Sequence, residues 1–214
     1  MIKLAGKFRF SSVQYGIHQQ LKKGYLKEKG WANSWHSRSA IDQNGKPIPW
    51  LSYPFIDFIK NRDLTQLSMF EYGMGSSTQW FSQRVKSLRS VEHEKDWFDK
   101  VSLMLKDKTN TSLLFKDLND GKEYVSSIAS PEEAFDLILI DGRKRVECSK
   151  QALDNLTPKG VIIWDNSDRE KYQEGIDSVL SKGFRKLDFF GPAPGSYRST
   201  CTSVLYRQDN CLGI

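Results

Sequence analysis

Cysteine is scarce in this chain of 214 residues. The three present, Cys148, Cys201 and Cys211, are odd in number, widely spaced and without a Cys-x-x-Cys pair. That pattern argues against a disulfide framework and against a cysteine zinc site, and leaves buried reduced thiols as the plain expectation. No apolar run approaches the length that crosses a bilayer, and the N-terminus has no apolar stretch of the secretory kind, so the expected compartment is the cytoplasm. Internal repeats and low-complexity tracts are missing too, so the architecture has to come from alternating short elements. With 38% hydrophobic residues the chain is long enough for one well-buried core and short for two.

Charge is localised rather than spread. The net charge of +6 resides in residues 1–30, where Lys3, Lys7, Arg9, Lys22, Lys23, Lys27 and Lys29 face Glu28 alone; beyond residue 30 the 25 basic and 25 acidic residues cancel. This argues against a nucleic-acid track across the whole domain and places any anionic partner near the first helix. A solvated helical face is the plainer alternative.

Val13, Ile17, Leu21 and Tyr25 fall on one stripe and predict a helix over residues 12–28, ended by Gly30. Residues 31–51 read as a loop loaded with Trp31, Trp35, His36, Trp50 and the Pro47-Ile-Pro49 turn, a load that suits a segment covering a site. Ser52 and Pro54 start a second helix with Phe55, Ile56, Phe58 and Ile59 on its buried side. Apolar strands follow at 67–72, 88–92, 112–116, 135–140, 160–165, 184–190 and 199–206. Helices stand between most of them, including 78–86 and 95–105, whose Trp80, Phe81, Trp97 and Phe98 are expected in the core. The pattern predicts an α/β fold, a doubly wound and mainly parallel seven-stranded sheet with an N-terminal helical extension. Residues 1–64 form that extension, expected to act as a substrate lid, and residues 65–214 the ligand-binding domain. Gly191-Pro-Ala-Pro-Gly195 leaves no room for a crossover helix, so the last two strands are expected to pair antiparallel.

The motif that points to chemistry is Phe70-Glu-Tyr-Gly-Met-Gly-Ser-Ser77, which closes the first apolar strand and is followed by Ser90-Val-Glu92. Gly73 and Gly75 let backbone approach a ligand, and a carboxylate at the end of the next strand can accept both hydroxyls of a ribose, so an adenosine-containing cofactor is expected. NAD is the weaker choice, because Ser76, Ser77, Thr78 and Gln79 stand where a dinucleotide fingerprint places its last glycine. Glu71, Glu92, Asp141 and Asp165 all end strands and would face one crevice; each taken alone reads equally as a helix-capping or turn-forming acid. Asp141-Gly-Arg-Lys144 and Asp165-Asn166 bring two acids and an amide oxygen to adjacent strand ends, hard donors that suit magnesium. A strand-ending turn and a helix cap without metal is the competing interpretation.

Glu71-Tyr-Gly-Met-Gly75, Glu92, Phe135-Asp-Leu-Ile-Leu-Ile-Asp141 and Gly160-Val-Ile-Ile-Trp-Asp165 together resemble the ordered motifs of class I S-adenosylmethionine (SAM)-dependent methyltransferases, over residues from about 65 to the end. The resemblance implies SAM as cofactor and a reversed seventh strand. It implies cofactor contacts from Glu71, Gly73, Gly75, Ser76, Ser77, Glu92, His93 and Asp141, with Glu92 on the ribose, His93 beside the adenine and Glu71 near the methionine ammonium. Ser77 departs from the common pattern, which has a third glycine there. Asp141, Asp165, Asn166 and Lys144 resemble the catechol-type O-methyltransferases, which implies a metal held by Asp141, Asp165 and Asn166, with Lys144 acting on the acceptor hydroxyl. Without metal, Lys144, Asp141 or His36 is the expected proton acceptor, and Arg143 and Arg145 allow the same loop to bind an acidic substrate. No Asn-Pro-Pro-Tyr or Asp-Pro-Pro-Tyr follows the fourth strand, so an oxygen of a small molecule or glycan is favoured over a nucleic-acid amino group. The rival functions are a nicotinamide oxidoreductase and a non-catalytic SAM-fold scaffold that holds a partner through its basic N-terminal helix.

Overall fold

The computed structural model describes residues 11–119, 121–129 and 133–214, so Lys3, Lys7 and Arg9 of the basic segment lie outside the described residues. Seven strands run β1 (Ser68–Tyr72), β2 (Ser87–Glu92), β3 (Thr111–Phe115), β4 (Phe135–Ile140), β5 (Leu156–Asp165), β6 (Arg185–Pro192) and β7 (Ser199–Tyr206). They form one sheet in the order β3-β2-β1-β4-β5-β7-β6. The first five pair in parallel, and β7 runs antiparallel to both β5 and β6. The doubly wound sheet and the reversed last strand are as the sequence predicts.

Strand side chains alternate between two buried layers, as a period of two requires. Met69, Leu137, Leu139, Val161 and Ile163 face one side. Phe70, Tyr72, Ile138, Ile140, Ile162 and Trp164 face the other, and the uninterrupted apolar run of β4 reflects burial on both faces. The second layer is closed by α7 (Lys122–Ser126), α8 (Arg145–Asp154) and α9 (Gln173–Leu180) through Tyr124, Cys148, Ala152, Ile176 and Val179. Trp164 packs so tightly there that a Cβ on Gly175 would stand 2.6 Å from its ring. The first layer is closed by α5 (Ser76–Phe81), and by α4 (Tyr53–Ile59) with the segment before it. Beyond β2, α6 (Lys95–Met104) packs Val101 and Leu105 against Met74 and Leu113.

The N-terminal segment departs from expectation in two ways. The predicted helix 12–28 is broken at Lys23-Gly24 into α1 (Ser12–Lys22) and α2 (Tyr25–Glu28). Its stripe does not reach the core, since Val13 and Ile17 are exposed at 68% and 57%. The segment read as a loop contains α3 (Trp31–Ser37), which starts from Gly30 in the left-handed conformation. As the chain's size predicts, there is one core here: Ala40, Ile48, Leu51, Tyr53, Phe55, Ile56, Ile59 and Leu64 share one hydrophobic cluster with Met69, Leu137 and Val204, across the 64/65 boundary. Ser52 fastens this segment down, its N–H donating to Thr202 Oγ1 at 3.0 Å and its hydroxyl to the Phe189 carbonyl at 2.8 Å. One charge of the basic segment has a counter-ion as well, because Lys29 pairs with Asp57, which Lys60 also approaches. No helix among the described residues is long and apolar enough to cross a membrane.

Phe55→Ala is expected to destabilise the whole chain by about 3–5 kcal/mol, through lost transfer energy and the cavity left behind. Urea unfolding should show one shifted transition; a separate early transition with the main one unmoved would mean that residues before 65 fold apart from the sheet.

Candidate functional site

The strand order reverses between β1 and β4, and the crevice outside their carboxyl ends is where open α/β sheets bind ligands. The chain turns tightly at this point. Gly73 adopts φ +95°, and a Cβ on it would stand 3.0 Å from Gly142 Cα, so a larger residue is refused both by conformation and by space. Gly75 is extended at φ 172°, with only Trp97 near the place of a Cβ, so its backbone makes no demand for glycine. Its N–H donates to Thr78 Oγ1 at 2.8 Å, so a small polar side chain caps the start of α5.

Glu71 lies beneath this turn and does not line the cavity above it. Its carboxylate is completely buried and accepts hydrogen bonds from the hydroxyls of Ser77, Thr78 (2.6 Å) and Ser90 (2.8 Å). The expected place near a methionine ammonium is therefore replaced by a place at the joint of β1, β2 and α5. Burial pushes this carboxyl up to about 7, against the opposing pull of the three hydroxyls.

A cavity of about 360 Å³ opens over the turn. Gly73, Gly75, Ser76, Ser77, Glu92, His93 and Asp141 all line it, so seven of the eight expected cofactor contacts converge there. Glu92 is held by the backbone: Oε2 accepts the Met74 N–H at 3.0 Å, and Oε1 accepts those of His93 and Glu94 at 2.7 and 2.8 Å. A carboxylate oxygen has about two acceptor positions, so Oε2 keeps one for a ligand hydroxyl. His93 Nδ1 lies 2.7 Å from Glu92 Oε1 without the alignment of a hydrogen bond. Trp97, expected in the core, instead stands 41% exposed on the cavity wall, its indole N–H donating to the Met74 carbonyl at 2.6 Å. It stands one turn before Val101 on the same stripe of α6, at the end of the helix that opens onto the cavity.

Asp141, Asp165 and Asn166 do converge, and the cation between them is Arg145. Its Nη2 donates to Asp141 Oδ1 at 2.9 Å and to the Asp141 carbonyl at 2.6 Å, and its Nε to the Gly142 carbonyl at 2.9 Å. Its Nη1 reaches the Asp165 carbonyl, with Asn166 Oδ1 at 3.5 Å and Asp165 Oδ2 at 4.0 Å. The remaining Asp165 oxygen accepts the Thr202 hydroxyl at 2.9 Å, and Asn166 Nδ2 donates to Thr200 Oγ1 at 2.9 Å. A buried guanidinium thus satisfies the donor set that suggested magnesium, and no group of three or more His, Cys, Asp or Glu among the described residues is arranged to hold a metal ion. The magnesium ligand set does not fit this arrangement. Burial raises the titration of both acids, with Glu71 adding to the rise at Asp141 and Asp141 to the rise at Asp165, and Arg145 opposes it at each.

Lys144 is the second departure. It takes φ +51° ahead of α8, packs its side chain over Gly121 and lies 3.9 Å from Glu147, lining neither cavity of the crevice. His36 is likewise exposed and absent from both linings. A neighbouring cavity of about 570 Å³ extends toward the β6–β7 turn, and Trp50, Asp141 and Arg169 form the wall it shares with the first. The sequence reading missed Arg38, Arg169 and Arg198 as lining residues, because the loops that carry them have no periodicity to place them. The left-handed backbone at Arg38, Lys144 and Asn166 marks the connections after α3, β4 and β5 as constrained.

No family model matches the sequence, and neither does any curated protein. Solved structures do match. A precorrin-6y C5,15-methyltransferase from Geobacter metallireducens superposes with a TM-score of 0.55 at 13% identity, over 72% of this chain and 87% of that one. An rRNA methylase from Streptococcus thermophilus gives 0.52 at 17% identity, over 72% and 96%. Protein SMU.1697c of Streptococcus mutans, solved in complex with SAH, gives 0.52 at 11% identity, over 70% and 94%. The fold is the Rossmann-like fold of methyltransferases.

Because Glu71 is raised, its contribution to stability is complete below a pH of about 4.3, the ordinary glutamate value, and is lost as pH rises toward about 7. Glu71→Gln should flatten that fall by on the order of 3 kcal/mol. Chemical denaturation of both proteins at several pH values checks this; an equal fall in the variant would assign it to other groups.

Proposed function

We propose that the chain is a SAM-dependent methyltransferase acting on an oxygen of a small molecule or sugar. The observation that carries this is one cavity, at the switch point of a methyltransferase-fold sheet, that joins the Gly73–Ser77 turn to a Glu92 with a free acceptor position. The residues present fit the cofactor. Glu92 would take a ribose hydroxyl on Oε2, and the glycine turn would lie along the chain between ribose and amino acid. Trp97 supplies a flat aromatic wall, and Arg38 and Arg143, with no ion-pair partner among the described residues, would hold the carboxylate end.

When bound, the cofactor supplies a methyl group on a sulfonium, which an acceptor oxygen takes by in-line displacement. The demands on the protein are alignment, exclusion of water and removal of the acceptor proton. Asp141 is the residue placed for the last of these: it lines both cavities, and its raised titration suits a proton acceptor near neutrality. Arg145 fixes the Asp141 carboxylate in place. Lys144 carries no role in this reading, and neither does magnesium. Arg38, Ser39 and Trp50 bring the N-terminal segment to the cavity wall, which supports its assignment as a cover held down through the shared core.

Calorimetry with SAM, SAH and NADH tests the cofactor. SAM and SAH are expected to bind, and Glu92→Ala to weaken both by about tenfold or more while removing turnover. Binding of NADH alone would establish an oxidoreductase, and a partner held undiminished by the Glu92 variant would favour the scaffold. Labelled methyl transfer is expected to proceed equally in chelator and in magnesium; dependence on the ion would restore a metal to the site.

A further inference from the structure

Resting on the assignment of the first cavity to the cofactor, we propose that the second cavity binds the acceptor as a small anion, a carboxylate or a phosphate ester, gripped between Arg169 and Arg198. Arg169 follows β5 on one wall of this cavity, and Arg198 belongs to the β6–β7 turn on another. Neither forms an ion pair with an acid among the described residues. Arg198 Nε donates to the Tyr197 hydroxyl at 3.1 Å, which leaves its two terminal nitrogens for a ligand.

The acids of the same wall are already engaged. Asp141 pairs with Arg145, Asp165 accepts the Thr202 hydroxyl, and Asp168 Oδ1 accepts the Cys201 N–H at 3.0 Å. Both guanidinium groups thus line the cavity without an ion-pair partner among the described residues. A ligand carboxylate or phosphate matches the planar donor fork of arginine, whereas a neutral sugar would leave both cations uncompensated.

The Arg198 turn is also held ready. Trp31 Nε1 donates to the Ser196 carbonyl at 2.8 Å, Trp35 stacks on Trp31 with centroids 5.3 Å apart, and Tyr197 packs edge-on to Trp35 at 6.4 Å. Gly195 takes φ +61° where a Cβ would stand 3.0 Å from the Ser34 carbonyl oxygen. A rigid turn lowers the ordering cost of binding.

Calorimetric titration of the full chain with inorganic phosphate, succinate and uncharged methyl glucoside tests the proposal. At least one anion is expected to bind and methyl glucoside not to. Arg198→Gln should weaken the anion about tenfold with SAM affinity retained, and Arg198→Lys should lose less. Phosphate without succinate would mark a phosphate ester, and succinate without phosphate a carboxylate. The proposal is overturned if neither anion binds, if methyl glucoside binds as tightly, or if Arg198→Gln binds the anions as the parent does. A separate SAM titration keeps the two assignments apart: loss of SAM binding with anion binding intact removes the methyltransferase reading alone.

Discussion

The buried guanidinium of Arg145 is the constraint on which the site depends. From the first residue of α8 it donates to the loop after β4 and to the last carbonyl of β5, and so ties the two strand ends together. Removing one partner of such a cluster leaves an uncompensated buried charge, which typically costs several kcal/mol, about 3–5. The ring of Tyr172 lies over the same cation, with 5.1 Å from Cζ to the ring centroid, and helps to exclude water from it. The wall shared by the two cavities is therefore fixed by the protein's own charge.

A second joint lies on the other side of β1. Glu71 gathers three hydroxyls from β2 and α5, and Glu92 gathers three backbone N–H groups around the turn above. The two acids divide the work: the first fixes where the helix begins, and the second fixes the turn while presenting one oxygen to the cavity. Both are tied to their neighbours, and only Glu92 faces the space a ligand would enter.

How far this was legible in the sequence follows from the range of each signal. Strand runs and the short Gly191–Gly195 connection are local patterns, so the sheet and its reversed β7 could be read directly. That Glu92, Gly73 and Asp141 line the crevice was legible because a strand end fixes a position there. The places of Lys144 and Glu71 were not, since the direction of a side chain depends on a left-handed backbone in one case and on three hydroxyl partners in the other. Arg145 was visible only as one of three adjacent cations; its capture between the nearby Asp141 and the distant Asp165 is a tertiary event. The stripe of α1 failed for the same reason, because periodicity shows that a face is apolar without showing what covers it.

The contacts of the N-terminal segment span almost the whole chain: Trp31 reaches Ser196, Ser52 reaches Phe189 and Thr202, and Arg62 Nη1 donates to the Leu212 carbonyl at 2.9 Å. During synthesis Phe55, Ile56 and Ile59 therefore leave the ribosome long before the hairpin that buries them exists. Pairings so distant in sequence are slow to close, and an apolar nascent segment left waiting is prone to aggregate. The N-terminal segment completes its packing only once β6 and β7 are in place.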